Sequence, residues 1–261
     1  MDKKDLKILK VEISPEDKLK KALNKIKKEC IKINPNCCGF ETSQACETRF
    51  GGSAYSEKND KAPICNNCGK PLTFVFQFRE KYDKDLKPSG KLYSVYYCFD
   101  CVPIGCADEE KGQWAVVAHD NPENAKFIEQ KENISSVLNP TSCTLSKIFI
   151  LPDYESLENN HPEIAELCEE IDSDDPMSAY EDIGQEIGCE MEPCTTLGGY
   201  PIWIQGESSK VCPKCKKENM ELVAQIDSEE AANLMFGDAG CLYVFRCPEH
   251  EDGFAIEMQC F

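Results

Sequence analysis

The residues with the clearest chemical capacity are four short knuckles: Cys65-Asn-Asn-Cys68, Cys98-Phe-Asp-Cys101, Cys212-Pro-Lys-Cys215 and Cys247-Pro-Glu-His250. A Cys-x2-Cys knuckle presents two sulfurs on one side of a tight turn. Two such knuckles supply the four soft donors that Zn2+ accepts in a tetrahedron. The spacing therefore predicts one zinc site from Cys65, Cys68, Cys98 and Cys101, and a second from Cys212, Cys215, Cys247 and His250. Every position in each set is a protein ligand, which marks the sites as structural, because a catalytic zinc keeps one position open for water or substrate. The plainer alternative is a pair of buried or oxidised dithiols, with His250 an ordinary surface histidine.

Two knuckles meet only if the chain between them doubles back. The gaps are 29 and 31 residues, longer than the roughly 15–20 of a simple zinc ribbon. A strand hairpin with its own insertion fills them. Leu72–Phe78 and Leu92–Tyr97 read as one strand pair, and Glu221–Ile226 and Leu242–Arg246 as another, rich in aromatic and β-branched residues. Trp114–Ala118 and Phe254–Gln259 follow as third strands. The two stretches repeat one pattern: Gly52 to Cys65 and Gly199 to Cys212 both span 13 residues. Cys68 to Gln77 spans 9 and Cys215 to Gln225 spans 10. Agreement in this order indicates a duplicated unit. Cys46 and Cys194 are candidate equivalents just before the paired glycines. Gln77 and Gln225 hold matched places in apolar strands, each expected to satisfy a buried backbone group, with a ligand contact as the sharper reading.

The remaining chain is charged. Ser14-Pro15-Glu16-Asp17 has the order of a helix start: capping serine, proline, first-turn acids. Leu19, Leu23, Ile26 and Ile33 then predict an amphipathic helix over 15–33, with lysines on its other faces. Residues 1–34 carry eleven Lys and six acids, while the whole chain carries −18. Between Lys147 and Lys210 there are sixteen Asp and Glu and no Lys or Arg. The basic helix can dock on this acidic remainder. Helices are expected over 161–168 and 176–187, a short strand over 147–151, and a short Ser-capped helix over 228–235. Acidic charge of that density repels phosphate, so direct nucleic-acid binding is not expected. It suits a basic protein partner; a solvated face that aids solubility is the bland alternative.

With eighteen cysteines, no secretory h-region at the N-terminus and no apolar run of transmembrane length, the chain reads as cytoplasmic, with no membrane role expected. A third metal site from Cys30, Cys37, Cys38, Cys46, Cys189 or Cys194 would lack the Cys-x2-Cys spacing; buried structural thiols are the simpler reading. No P-loop, GxSxG or HExxH is present, and no enzyme is expected.

The run GGYPIW, CPKC, M-x-L-x-x-QI, GDAG and YVF-x-C resembles the YwqG-like bacterial family, a domain of unknown function, across most of 46–261. It is more distantly similar to the programmed cell death 2 family, which shares GG-P-W, C-x-x-C, a glutamine-bearing strand and a closing cysteine knuckle. These resemblances imply a β-rich, two-part fold with zinc knuckles and, for the eukaryotic relatives, escort of a ribosomal protein. This chain departs from the pattern at Ser53-Ala-Tyr55, at Lys216 after the third knuckle, and at His250.

The expectation is an α+β, β-rich protein with two pseudo-repeated antiparallel sheet units, zinc knuckles and an N-terminal amphipathic helix. Its sections are 1–45, 46–120, 121–193 and 194–261. Its expected function is non-enzymatic: an acidic protein-interaction module, in one form an inhibitor or immunity protein acting on a basic nucleic-acid-handling partner. A chaperone of a basic ribosomal protein is the alternative. Tyr200 and Trp203 are candidate apolar anchors, and Asp172, Asp174 and Asp175 candidate steering charges. The oligomeric state is left open.

Overall fold

A computed structural model describes residues 13–36, 46–57, 61–102, 111–120, 122, 126–127 and 138–261. Cys37 and Cys38, candidates for a third metal site, lie outside the described residues. The chain divides into two compact units, Met1–Lys28 with Phe149–Met191, and Glu29–Ile148 with Glu192–Phe261. The N-terminal helix and most of the acidic section share the first unit.

In the first unit, Ser14 caps helix α1 (Pro15–Ile26) by accepting from Asp17 N at 3.2 Å, with Pro15 at the first turn. Leu19 and Leu23 are fully buried, each contributing about 1.5–3 kcal/mol. They pack with Leu157, Ile164, Cys168, Tyr180 and Ile183. Those residues come from α2 (Tyr154–Asn160), α3 (Pro162–Ile171) and α4 (Pro176–Glu186). Asp153 and Asp175 cap α2 and α4 by accepting from Ser156 N and Ser178 N. The basic helix does meet the acidic section: Lys20 Nζ pairs with Glu186 at 2.5 Å.

The helix is shorter than its sequence periodicity suggests. Lys27 is already extended, at φ −58° and ψ 142°, and β1 (Lys28–Pro35) follows. Ile33 belongs to the core of the second unit instead of the helix face. Over this stretch both periods fit the apolar residues. Pairing of Ile31 with Leu197 decides for the strand, as tertiary context overrides weak local propensity.

The second unit is built on a sheet whose strand order shows the duplication. One arm runs β2 (Arg49–Phe50), β4 (Thr73–Tyr82), β5 (Pro88–Tyr97), β6 (Trp114–His119). The other runs β10 (Thr196–Leu197), β11 (Glu221–Asp227), β12 (Cys241–Arg246), β13 (Phe254–Gln259). Between β2 and β10 lie β8 (Thr141–Ile150) and β1, so the full order is β13-β12-β11-β10-β1-β8-β2-β4-β5-β6. Each arm pairs its strands antiparallel. β9 (Cys189–Glu190) runs parallel to the end of β8. A separate pair joins β3 (Tyr55–Ser56) and β7 (Lys126–Phe127).

Both arms turn at paired glycines directly after their short first strand. Gly51 takes φ +53°, and a Cβ there would stand 2.4 Å from the carbonyl oxygen of Asn139. Residues 228–235 are not helical as expected. They form turns closed by a Glu229–Leu234 bridge, with Asn233 at φ +54°. Ser228 Oγ accepts from Phe236 N and donates to Gly240 O, spending its hydroxyl across the loop and not on a helix cap.

Candidate metal centres

Each arm places one knuckle before its second strand and the other after its third. Because these two strands are antiparallel neighbours, both knuckles fall at the same end of the hairpin. The local turns are alike. Cys65 N donates to Lys70 O and Gly69 N to Cys65 O; Cys212 N donates to Lys217 O and Lys216 N to Cys212 O. Gly69 takes φ +71°, a left-handed turn cheap only for glycine, and Lys216 takes φ +62° in the same position. The closing knuckles are anchored by Cys98 N to Gln113 O and Cys247 N to Gly253 O.

This brings together the eight residues singled out in the sequence, as Cys65, Cys68, Cys98 and Cys101, and as Cys212, Cys215, Cys247 and His250. In each group the donor atoms all lie within 4.8 Å of one another. The Sγ–Sγ separations are 3.8 Å for Cys65–Cys101, 3.7 Å for Cys68–Cys98 and 3.9 Å for Cys215–Cys247. A disulfide would bring these sulfurs to about 2.05 Å. A tetrahedral ion bound at about 2.3 Å to sulfur spaces two sulfurs about 3.8 Å apart, and a sulfur and an imidazole nitrogen about 3.5 Å apart. His250 Nδ1 lies 3.5 Å from Cys247 Sγ and 3.9 Å from Cys212 Sγ. The donor sets fit a metal ion on both chemistry and spacing.

Burial pushes the Cys65 thiol up, but N–H groups of Cys68 and Asn67 outweigh it and hold it at about 7. Cys212 likewise is held at about 7 against burial, by N–H groups of Cys215 and Lys214. Burial pushes Cys98 and Cys247 up. Each cluster thus pairs one sulfur that ionises readily, Cys65 or Cys212, with one that burial keeps protonated, Cys98 or Cys247. A dication at the centre would ionise all of them. Asn67 Nδ2 donates to Cys101 Sγ at 3.2 Å, a contact that would orient and neutralise a bound thiolate. Pairs Lys70–Asp100, Lys214–Asp252 and Lys217–Glu249 link the opening and closing knuckles.

The other candidate residues are placed as follows. Trp203 is half-buried, with its ring 4.7 Å from Tyr243 and 5.9 Å from Phe245. Tyr200 is half-buried as well. Asp172, Asp174 and Asp175 are exposed; Asp172 Oδ1 accepts from the N–H groups of Asp174 and Asp175. Gln225 holds the Tyr200–Trp203 segment by accepting from Ile202 N at 2.9 Å, while its amide donates to Cys194 O. Gln77 donates to Glu47 O at 2.7 Å. Glu47, and not Cys46, therefore corresponds to Cys194. Sequence reasoning missed the buried Arg49, which donates to Gly51 O and Ser53 O. Burial lowers it to about 10. The signal was an arginine directly before a Phe-Gly-Gly turn.

Fold and site define a β-rich protein with a duplicated hairpin unit, each copy closed by a four-donor, cysteine-based centre. Residues 48–250 match the family model described as Domain of unknown function (DUF1963), and the chain belongs to that family. The search of curated proteins found no match.

Proposed function

We propose that the chain is a zinc-stabilised, acidic protein-interaction module that recognises a basic protein. One observation carries this reading. Twelve carboxylates between Glu155 and Glu186 are exposed on the helical unit. Among the described residues one of them, Glu186, pairs with a lysine, and Glu163 lies 3.8 Å from His161. Carboxylates in excess of the α1 lysines attract a cationic surface over about a Debye length, about 8 Å at physiological salt, and speed its encounter. In its specific form the module is an inhibitor that meets the phosphate-binding face of a nucleic-acid-handling protein. The sequence resemblance to the programmed cell death 2 family favours a second form, escort of a basic ribosomal protein.

Zinc is the ion we assign to both centres. Three or four thiolates per site suit a soft tetrahedral dication, and the donor spacings match zinc bond lengths. Thiolates must stay reduced to bind it, which accords with a cytoplasmic protein; among the described residues no helix is long and apolar enough to cross a membrane. The role is structural: each ion would tie two knuckles of one hairpin. Metal analysis is expected to give two zinc ions per chain, and a chelator to lower Tm. A chain that holds no zinc and melts identically with chelator would sink this assignment.

The partner reading is tested by affinity capture from lysate, washed at low and then high salt and read by mass spectrometry. A basic protein retained at low salt and released at high salt is expected. A variant combining Glu163→Gln, Glu166→Gln, Glu169→Gln and Glu170→Gln should lose it. Equal capture by that variant would refute the steering role.

A further inference from the structure

A pocket of about 240 Å3 opens where the two arms of the sheet meet in the second unit. One wall comes from β4 and β5 of the first arm, the other from β11, β12 and β13 of the second. None of the eight candidate metal ligands and no residue of the acidic helices lines it. Its lining is basic, although the protein as a whole is acidic. Arg79, Lys81 and Arg246 are set against one acid, Glu80, in a protein of net charge −18. The remaining walls are apolar and aromatic, with Phe78, Leu222 and Phe254 among them.

The guanidinium of Arg246 is held in place but not saturated. One of its nitrogens donates to Tyr93 Oη at 2.8 Å. Its distance to Glu80 is 3.6 Å, an ion pair too long for a hydrogen bond. Tyr93 is itself fixed edge-on against Phe254, with ring centroids 5.5 Å apart. Arg79 is also in the lining, and its buried Nε has no hydrogen-bond partner among the described residues. A buried guanidinium nitrogen without an acceptor is costly, and an anion would satisfy it.

Charge and size together select the ligand. Lys81 is 72% exposed, so water screens its charge. Arg79 and Arg246 set against Glu80 leave a net charge of about +1 in the lining, matching a monoanion better than a phosphate monoester. At about 30 Å3 per water the volume holds about eight waters. That lies below the roughly 300–1,000 Å3 of pockets for larger ligands. The apolar walls ask for a hydrocarbon body. We propose that this inter-repeat pocket binds a small organic carboxylate, its carboxyl group on Arg246 and its apolar body against Phe78, Leu222 and Phe254.

The proposal is independent of the protein-interaction reading, and its test uses the full, metal-loaded chain. Thermal shift and calorimetric titration would be run with benzoate, hexanoate, benzamide and phenyl phosphate. Benzoate or hexanoate should give a saturable rise in Tm at up to about 10 mM, ten times a Kd of about 1 mM. Neutral benzamide should give none. Arg246→Gln should weaken carboxylate binding at least about tenfold, the loss of one charge-assisted contact. Glu80→Gln should tighten it, because it removes the acid that competes for Arg246. That increase keeps the test decisive if Arg246→Gln fails to fold, since general damage does not raise affinity. No saturable response to either carboxylate would overturn the proposal. Equal response to benzamide, weaker binding by Glu80→Gln, or tighter binding of phenyl phosphate than of benzoate would do so too.

Discussion

His250 Nδ1 stands 3.5 Å from Cys247 Sγ, the separation expected of a nitrogen and a sulfur on one tetrahedral zinc. His250 thus completes the second centre where the first has Cys101. Replacement by another zinc ligand should be tolerated and replacement by a non-ligand should not. His250→Cys is expected to keep two zinc ions per chain. His250→Ala is expected to keep one, in the Cys65–Cys101 site. Elemental analysis of the purified variants checks this, and two ions retained in His250→Ala would remove His250 from the ligand set.

The centres should be acid-labile. Cys65 and Cys212 are held at about 7 in the folded chain, below the thiol value of 9.0. A lowered folded value means that these thiolates stabilise the fold above about pH 9, and that the contribution fades as pH falls through about 7. Zinc strengthens the same dependence, because it binds thiolate and neutral imidazole and releases them when they protonate. Zinc release followed with a chromogenic chelator should therefore rise as pH is lowered below neutrality. Full retention down to about pH 4 would contradict thiolate ligation.

Lys216 carries a strained backbone that the matching turn avoids. It takes φ +62°, where the first arm has Gly69 at +71°. A left-handed residue with a side chain costs about 1–2 kcal/mol. Lys216→Gly should relieve part of that and raise stability by about 0.5–1 kcal/mol after the added freedom of the unfolded glycine. Denaturant unfolding of the zinc-loaded protein measures it; a loss of stability would show that the lysine side chain matters more than its backbone.

Gln225 ties strand to strap. It is fully buried and bonds both Ile202 N and Cys194 O. Gln225→Leu would remove both bonds from these partly buried backbone groups, a loss of about 2–6 kcal/mol at about 1–3 kcal/mol each. The release of Trp203 from its stack on Tyr243 should accompany it, read as a red shift of tryptophan fluorescence. An unshifted spectrum with native stability would show the segment to be held by ring packing alone.

The sequence by itself determined the parts that depend on order and spacing. Equal offsets from Gly52 to Cys65 and from Gly199 to Cys212 carried the duplication. The Cys-x2-Cys spacing carried the donor sets, because a knuckle is a local turn whose geometry its own residues dictate. Ser14 and Pro15 fixed the start of α1 for the same reason. What it could not decide were choices made by distant partners. Residues 28–35 fit a helix or a strand, and Leu197, more than 160 residues away, makes them a strand. Ser228 has the type of a helix cap, but Gly240 and Phe236 take its hydroxyl. The pocket by Arg246 is invisible in either repeat read alone, since Glu80 and Tyr93 reach it from the other arm. Local chemistry is written in neighbouring residues; a site between two arms exists only once long-range strand pairing has closed the loops that separate them.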